Sequence, residues 1–242
     1  MQPQQQGGSN LLNTIREGIP PIHKEGLRFV AIFAAITILF YYFELRSLGA
    51  IMIALTVWCY FFFRDPIRVV PQEEGLVVSP ADGLIQMIVQ AVPPAELEMG
   101  DEELTRISIF LNVFNVHINR VPIAGKITAL YYHPGKFLNA AMDKASEENE
   151  RQLAKVTTAD GKEVGFIQIA GLIARRILCF LNEDQEVATG ERYGLIRFGS
   201  RTDIFLPKGI EPLVVAGQIA VGGETVLADL KGKQKKRTGA SV

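Results

Sequence analysis

Three histidines, His23, His117 and His133, limit the acid–base chemistry this chain can do near neutral pH. His23 lies in a polar arm and His133 precedes a Pro-Gly pair, whereas His117 falls inside the strand-like run FLNVFNVHINRVP. Asp82, in SPADG, is the carboxylate in the most suggestive setting, although an Asp-Gly turn needs no catalysis to explain it. Ser200 follows Gly199 between the apolar runs LIRF and DIFL, and Asp203 stands three residues further on. Glycine there permits a backbone conformation that other residues resist, which suits a tight or strained connection. Ser200, His117 and Asp82 can be drawn as a nucleophile, a base and an orienting acid. A lone strand histidine is more often structural, and spacing alone leaves the use of this set open.

Other chemistries are excluded by what the sequence lacks. It has no GxSxG elbow, no GxxxxGK[ST] phosphate loop, no HExxH and no GxGxxG. Cys59 and Cys179 stand apart in apolar surroundings, so neither a disulfide framework nor a zinc site is expected. Twenty-five basic against 26 acidic residues give a net charge of −1, which offers a nucleic acid nothing to bind. One basic cluster, Lys231, Lys233, Lys235, Lys236 and Arg237, closes the chain.

The elements that must carry these residues fall into two kinds. The mean hydropathy of +0.17 has a local source. FVAIFAAITILFYYF (29–43) and LGAIMIALTVWCYFFF (48–63) are free of charge and separated by the break ELRS. Each is slightly shorter than the roughly 20 residues that span a bilayer upright, so the pair is either a helical hairpin or an element lying in the interface. Tyr41, Tyr42, Trp58 and Tyr60 lie near the ends of the runs, as interfacial aromatics do. Arg16, Lys24 and Arg28 precede the pair and Arg64 and Arg68 follow it, so the positive-inside rule puts both outer ends in the cytoplasm.

After Pro71 short apolar runs alternate with turn signals: GLVVSPADG, LIQMIVQAV, RISIFLNVFNVHI, GKITALYY, VGFIQIAG and GLIRFG. LVVAGQIAVGGETVLADL reads as two strands about a Gly-Gly turn, 140–153 as a loop or short helix, and 172–181 as helix or strand. The expected fold is mainly β (α+β), a compact antiparallel sandwich or barrel behind an N-terminal hydrophobic helical hairpin. Its parts are a polar arm (1–28), the membrane-anchoring hairpin (29–63), a catalytic domain (64–230) and a basic tail (231–242).

Eight segments, in order along nearly the whole chain, resemble phosphatidylserine decarboxylase in its short prokaryotic form. They are FFFRDPIRVVP (61–71), SPADG (79–83), FNVHINRVPIAGKI (114–127), HPGKFLNA (133–140), NER (149–151), IQIAGLIARRI (167–177), GLIRFGSRTDIFLP (194–207) and VGGETVLADL (221–230). The resemblance implies that the chain cuts itself at Gly199-Ser200 into a β chain (1–199) and an α chain (200–242), and that Ser200 becomes a covalent pyruvoyl group. Long family members have LGST where this chain has FGSR. It also implies decarboxylation of phosphatidylserine to phosphatidylethanolamine, with no metal and no pyridoxal phosphate.

By the same resemblance Asp82 is the family's acidic residue and His117 matches the first of two histidines three residues apart. Arg120 stands at the second, which belongs to the self-cleavage set. Either His117 serves both cleavage and decarboxylation, or another group is the cleavage base; we expect the former. Arg64, Arg68 and Lys136 are candidates for the lipid phosphate. The implied partners are phosphatidylserine, the bilayer, the α chain with its β chain, and a second processed protomer in a homodimer. The implied location is the cytoplasmic face of the cell (inner) membrane. Two rival readings are a non-enzymatic membrane-tethered β module and pyruvoyl chemistry on another amine precursor.

Overall fold

The computed structural model describes residues 19–136, 148–171, 176–197 and 199–232. Most of the polar arm, most of the 140–153 segment, the start of the 172–181 run and the tail from residue 233 lie outside the described residues. The chain divides into two units, one up to Ile67 and one from Arg68 onwards.

The first unit is a pair of helices, α1 (Lys24–Tyr42) and α2 (Arg46–Phe62). His23 caps α1, its Nδ1 accepting from the Glu25 amide at 3.3 Å. Glu44, at φ +57°, turns the chain between the helices. The Thr37 and Thr56 hydroxyls meet at 3.4 Å across the pair, and Gly49 lets the Tyr41 ring approach. Ile38, Tyr42, Ile51 and Phe61 are exposed, the signature of helices that are apolar all round. The 19 residues of α1 make it long and apolar enough to cross a membrane by length and composition.

The second unit is mainly β. Its largest sheet is antiparallel throughout, in the order β12-β2-β3-β11-β7-β6-β5-β9, and curls into a half-barrel. The strands are β2 (Gly83–Ala91), β3 (Leu104–Leu111), β5 (Gly125–His133), β6 (Arg151–Thr157), β7 (Glu163–Ala170), β9 (Glu186–Val187), β11 (Ser200–Phe205) and β12 (Ile219–Ala220). Register shifts at Ile85/Met87 and Ile127/Ala129 mark bulges, which add bend and twist. A three-stranded sheet, β4 (Ile118–Arg120), β10 (Arg192–Ile196) and β8 (Ile177–Cys179), and a pair, β1 (Leu76–Val78) with β13 (Val226–Asp229), complete it among the described residues.

The inner face carries the core: Ile85, Ile107, Ile109, Leu111, Val156, Phe166 and Ile204 belong to one buried cluster. The other face packs Leu153, Ile167, Ile169 and Phe205 beneath Leu97. β11 is therefore buried at every residue, as a strand covered on both faces must be.

Two local expectations differ from the structure. The run around His117 is not one strand, because β3 ends at Leu111 and β4 begins at Ile118. Asn112 and Asn115 cause the break. The Asn112 side chain accepts from the Phe114 amide at 2.8 Å and that of Asn115 from the Asn112 amide at 2.9 Å, so both bond the backbone locally and close a turn. The strands about Gly222-Gly223 form as expected but do not pair with each other. β12 joins β2, and β13 joins β1. The turn between them is bonded to SPADG instead, through Gly223 N–H to the Ser79 carbonyl and Gly222 N–H to the Asp82 carboxylate, both at 2.7 Å.

The glycine of SPADG is required by space. A Cβ on Gly83 would collide with the Phe110 carbonyl on the neighbouring strand. Gly83→Ala is expected to cost about 1–3 kcal/mol, as overpacking does, read as a lower midpoint in chemical denaturation of the detergent-solubilised protein.

Candidate active site

Antiparallel pairing brings the residues singled out from the sequence towards one end of the large sheet. Ser200, the first residue of β11, faces Leu111 at the end of β3 and Ala170 at the end of β7. β2 begins two strands away at Gly83, directly after Asp82. At about 4.8 Å between neighbouring strands, that separation is roughly 10 Å. The SPADG loop is tied to β4 by the Arg120 amide, which donates to the Pro80 carbonyl at 2.8 Å.

Gly199 has φ +70° and open space where a Cβ would project. Its glycine is thus needed for conformation and not for room, since a left-handed residue with a Cβ is strained by roughly 1–2 kcal/mol. Ser200 is fully buried, and its hydroxyl has no hydrogen-bond partner among the described residues. A buried unpaired hydroxyl is costly, and such groups collect where chemistry requires them.

The His117 imidazole reaches the Gly199 amide. It is 1% exposed, with Nδ1 3.0 Å from the Asn115 carbonyl and Nε2 3.4 Å from the Gly199 amide. A carbonyl only accepts, so this network assigns the proton to Nδ1 and leaves the Nε2 lone pair towards Gly199. Asn115 therefore fixes the tautomer, a role that triad logic gives to an acid. No residue type in the sequence announced it, because the group used is a backbone carbonyl set by the Asn112–Asn115 turn.

Asp82 is held in place by two donors. Oδ2 lies 2.6 Å from Arg68 Nη2, with both side chains about 15% exposed, and Oδ1 accepts the Gly222 amide at 2.7 Å. Arg68, expected at the lipid phosphate, is thus engaged by Asp82. Arg120 is buried and donates to the Gly190 carbonyl at 2.9 Å. Arg64 belongs to the first unit and donates to the Phe61 carbonyl. Lys136 is exposed and paired with Glu148 at 2.9 Å.

Supporting residues went unread in the sequence. Asn149, of the NER segment, donates to the carbonyl of Ala170, the residue opposite Ser200, at 2.7 Å. Glu150 accepts the Ile177 amide. Buried Gln168 and Asn119 join through a 2.8 Å amide contact, with Gln168 directly opposite Thr202. Tyr193 stacks edgewise on Phe166, and burial pushes its phenol well above the ordinary range, with Cys179 adding to the shift, so it stays neutral.

Arg201, the residue that distinguishes FGSR, is completely buried on the face opposite Ser200. Asp203, two residues on and on the same face, sits 2.8 Å from its Nε, and Arg106 of β3 approaches the same carboxylate at 3.9 Å. A charge can occupy the second position of β11 because this carboxylate balances it. Among the described residues no group of three or more His, Cys, Asp or Glu could hold a metal ion. The cavity of about 400 Å³ lined by Gln72, Glu74, Asp160 and Lys231 shares no residue with the Gly199 neighbourhood.

The model of the phosphatidylserine decarboxylase family matches residues 55–228. The chain belongs to that family. It is 56% identical over 223 residues to the phosphatidylserine decarboxylase proenzyme of Cereibacter sphaeroides, covering 92% of this chain and 96% of that one. To the proenzyme of the same name from Ruegeria pomeroyi it is 58% identical over 213 residues, covering 88% and 97%. Membership makes the chain a decarboxylase made as a proenzyme, and Gly199, Ser200 and His117 lie within the matched region.

Two outcomes test this geometry. His117→Ala is expected to slow chain cutting by about 10²–10⁴-fold, the worth of a positioned base, followed by intact mass against time. Asp203→Asn removes the anion between two buried guanidiniums and is expected to cost on the order of 3–5 kcal/mol, read as a lower unfolding midpoint.

Proposed function

We propose that the chain cuts itself between Gly199 and Ser200, converts Ser200 to a pyruvoyl group, and then decarboxylates phosphatidylserine to phosphatidylethanolamine at the membrane surface. The observation that carries this reading is the contact of the Gly199 amide N–H with His117 Nε2 at 3.4 Å, one residue before the buried Ser200 hydroxyl, which has no partner among the described residues.

In the first step Ser200 Oγ attacks the Gly199 carbonyl carbon while His117 Nε2 takes the hydroxyl proton. The C–N bond breaks, the Ser200 nitrogen receives that proton, and the amide becomes an ester. Removal of the Ser200 Cα proton then expels the Gly199 carboxylate, which ends the β chain at residue 199. The dehydroalanine left at 200 takes up water and loses ammonia to give the ketone. The group so formed supplies an electron-withdrawing carbonyl that accepts the bond electrons when CO₂ leaves. The Ser200 neighbourhood fits it: a strand start paired on both edges, a left-handed glycine before it and the buried His117 imidazole on that glycine's amide.

His117 serves both stages on this reading. Its Nε2 is the base for cutting and, once protonated, the acid that returns a proton to the substrate α-carbon. Asp82, paired with Arg68, positions the SPADG loop beside β4 on this reading. The same side chain fixes the Gly222 turn. The expected layout is an arm (1–28), an anchoring hairpin (29–63), a catalytic part (64–230) and a basic tail (231–242), with the catalytic part on the cytoplasmic face and processed protomers paired as a homodimer. The anchor supports a lipid substrate, because a two-chain lipid stays in the bilayer and the site must come to it.

Intact mass under denaturing conditions tests the reading. The wild-type protein is expected to give fragments 1–199 and 200–242, the smaller blocked at its N-terminus and reactive with carbonyl reagents. Ser200→Ala is expected to remain one uncut chain and to release no CO₂ from phosphatidylserine vesicles. An uncut, inactive wild-type chain would favour a tethered β module.

A further inference from the structure

We infer that Thr202, Gln168 and Asn119 hold a buried water molecule beside Ser200, which supplies the ketone oxygen when the serine is converted. The role given to the water rests on the self-processing reading above. Ser200 and Thr202 share one face of β11, because side chains alternate along a strand, and they stand about 7 Å apart. Thr202 lies directly opposite Gln168 of β7, with Ile109 of β3 on its other side. Gln168 Nε2 donates at 2.8 Å to Oδ1 of Asn119, which follows His117 by two residues. Ser200, Thr202, Gln168 and Asn119 are all 0% exposed. Yet Ser200 Oγ, Thr202 Oγ1, Gln168 Oε1 and Asn119 Nδ2 have no hydrogen-bond partner among the described residues. Gly194 of β10 pairs with Asn119, and a Cβ there would stand 3.0 Å from Gln168 Nε2, so glycine keeps a side chain out of this seam.

The chemistry of these atoms selects the ligand. Gln168 Oε1 only accepts, Asn119 Nδ2 only donates, and the Thr202 hydroxyl does both. Turning both amides over would still leave one donor and one acceptor. An anion asks for donors alone and a hard cation for oxygens alone. Water uses both kinds, and a buried water makes about three hydrogen bonds. Conversion of Ser200 consumes one water per chain. After the Gly199 carboxylate has left, Ser200 Cβ takes up a proton in exchange for one on the nitrogen, and the water oxygen bonds to Cα. The C–N bond then breaks, and the nitrogen departs as ammonia with both protons of the water. A water stored in a dry seam meets this single need without opening the site to solvent.

The test follows the full chain during cell-free synthesis into phosphatidylserine nanodiscs. Samples are reduced with borohydride before denaturation, which turns the ketone into a lactoyl end and the unhydrated, nitrogen-bearing end into alanyl. Intact mass and stepwise N-terminal degradation separate the two, since a lactoyl end is blocked and an alanyl end is read. Among cut wild-type chains only the lactoyl form is expected. Thr202→Val keeps the shape and removes one partner of the water. It is expected to slow the change from alanyl-yielding to lactoyl-yielding chains about tenfold, the worth of one hydrogen bond. Thr202→Ser is expected to restore it. Wild-type timing in Thr202→Val would overturn the proposal. A second measurement needs no processing: a crystal structure of uncut Ser200→Ala is expected to show a water bonded to Thr202, Gln168 and Asn119. Density without that water would overturn the proposal, and it decides the matter where a Thr202 variant fails to cut. Failure of the self-processing reading shows separately, as an uncut wild-type chain, whatever the Ser200→Ala density contains.

Discussion

The register of β11 is the constraint on which the site depends. Ser200 heads a strand paired on both sides, to Leu111 and to Ala170, and buried on both faces. A strand bonded along both edges cannot slide by one residue without turning Ser200 to the opposite face and carrying Arg201 into the core. The buried ion pair of Arg201 with Asp203 opposes the same slip, because those charges are compensated on only one face. Gly199, just before the strand, has a left-handed conformation, so the Gly199-Ser200 bond lies at the point where the ladder ends.

His117 reaches that point from a different sheet. β4 pairs with β10, and the Ile196 amide donates to the His117 carbonyl at 3.3 Å, while the imidazole reaches the Gly199 amide. The β3–β4 turn thus performs two tasks. It carries the chain from the large sheet to the small one, and it spends the Asn115 carbonyl on setting the imidazole tautomer. Asp82 joins the group through backbone ties of SPADG to β4 and to the Gly222-Gly223 turn, so four remote segments of sequence are held by a few short hydrogen bonds. A buried serine hydroxyl left unpaired among the described residues is an arrangement that suits a preorganised proenzyme.

Much of this was legible in the chain itself. Alternating apolar runs bounded by Gly, Pro and Asp announced the β-rich part, because a strand with one buried face must alternate and a tight turn needs those residues. Two uncharged runs with interfacial aromatics announced the helical pair. The Gly-Ser step, SPADG and the lone histidine of the FNVHINRVP segment singled out residues that the fold draws towards one end of the large sheet. Two features were misread for a common reason. The run through His117 looks like one strand and the Gly222-Gly223 segment looks like a hairpin, because propensity is local while each backbone bond is spent on whatever lies nearest in space.

The sequence alone determined residue types and their order: a glycine before a serine, three imidazoles, one acid in a turn and two uncharged apolar runs. Tertiary structure alone decided which groups meet. Asn115 and not Asp82 supplies the acceptor at Nδ1, Arg68 is engaged by Asp82, Asn149 supports the strand opposite Ser200, and Asp203 balances Arg201. These contacts join residues far apart in the chain or use backbone atoms that every residue shares. A sequence carries no local mark of either, since their energies depend on distances that exist only once the strands have paired.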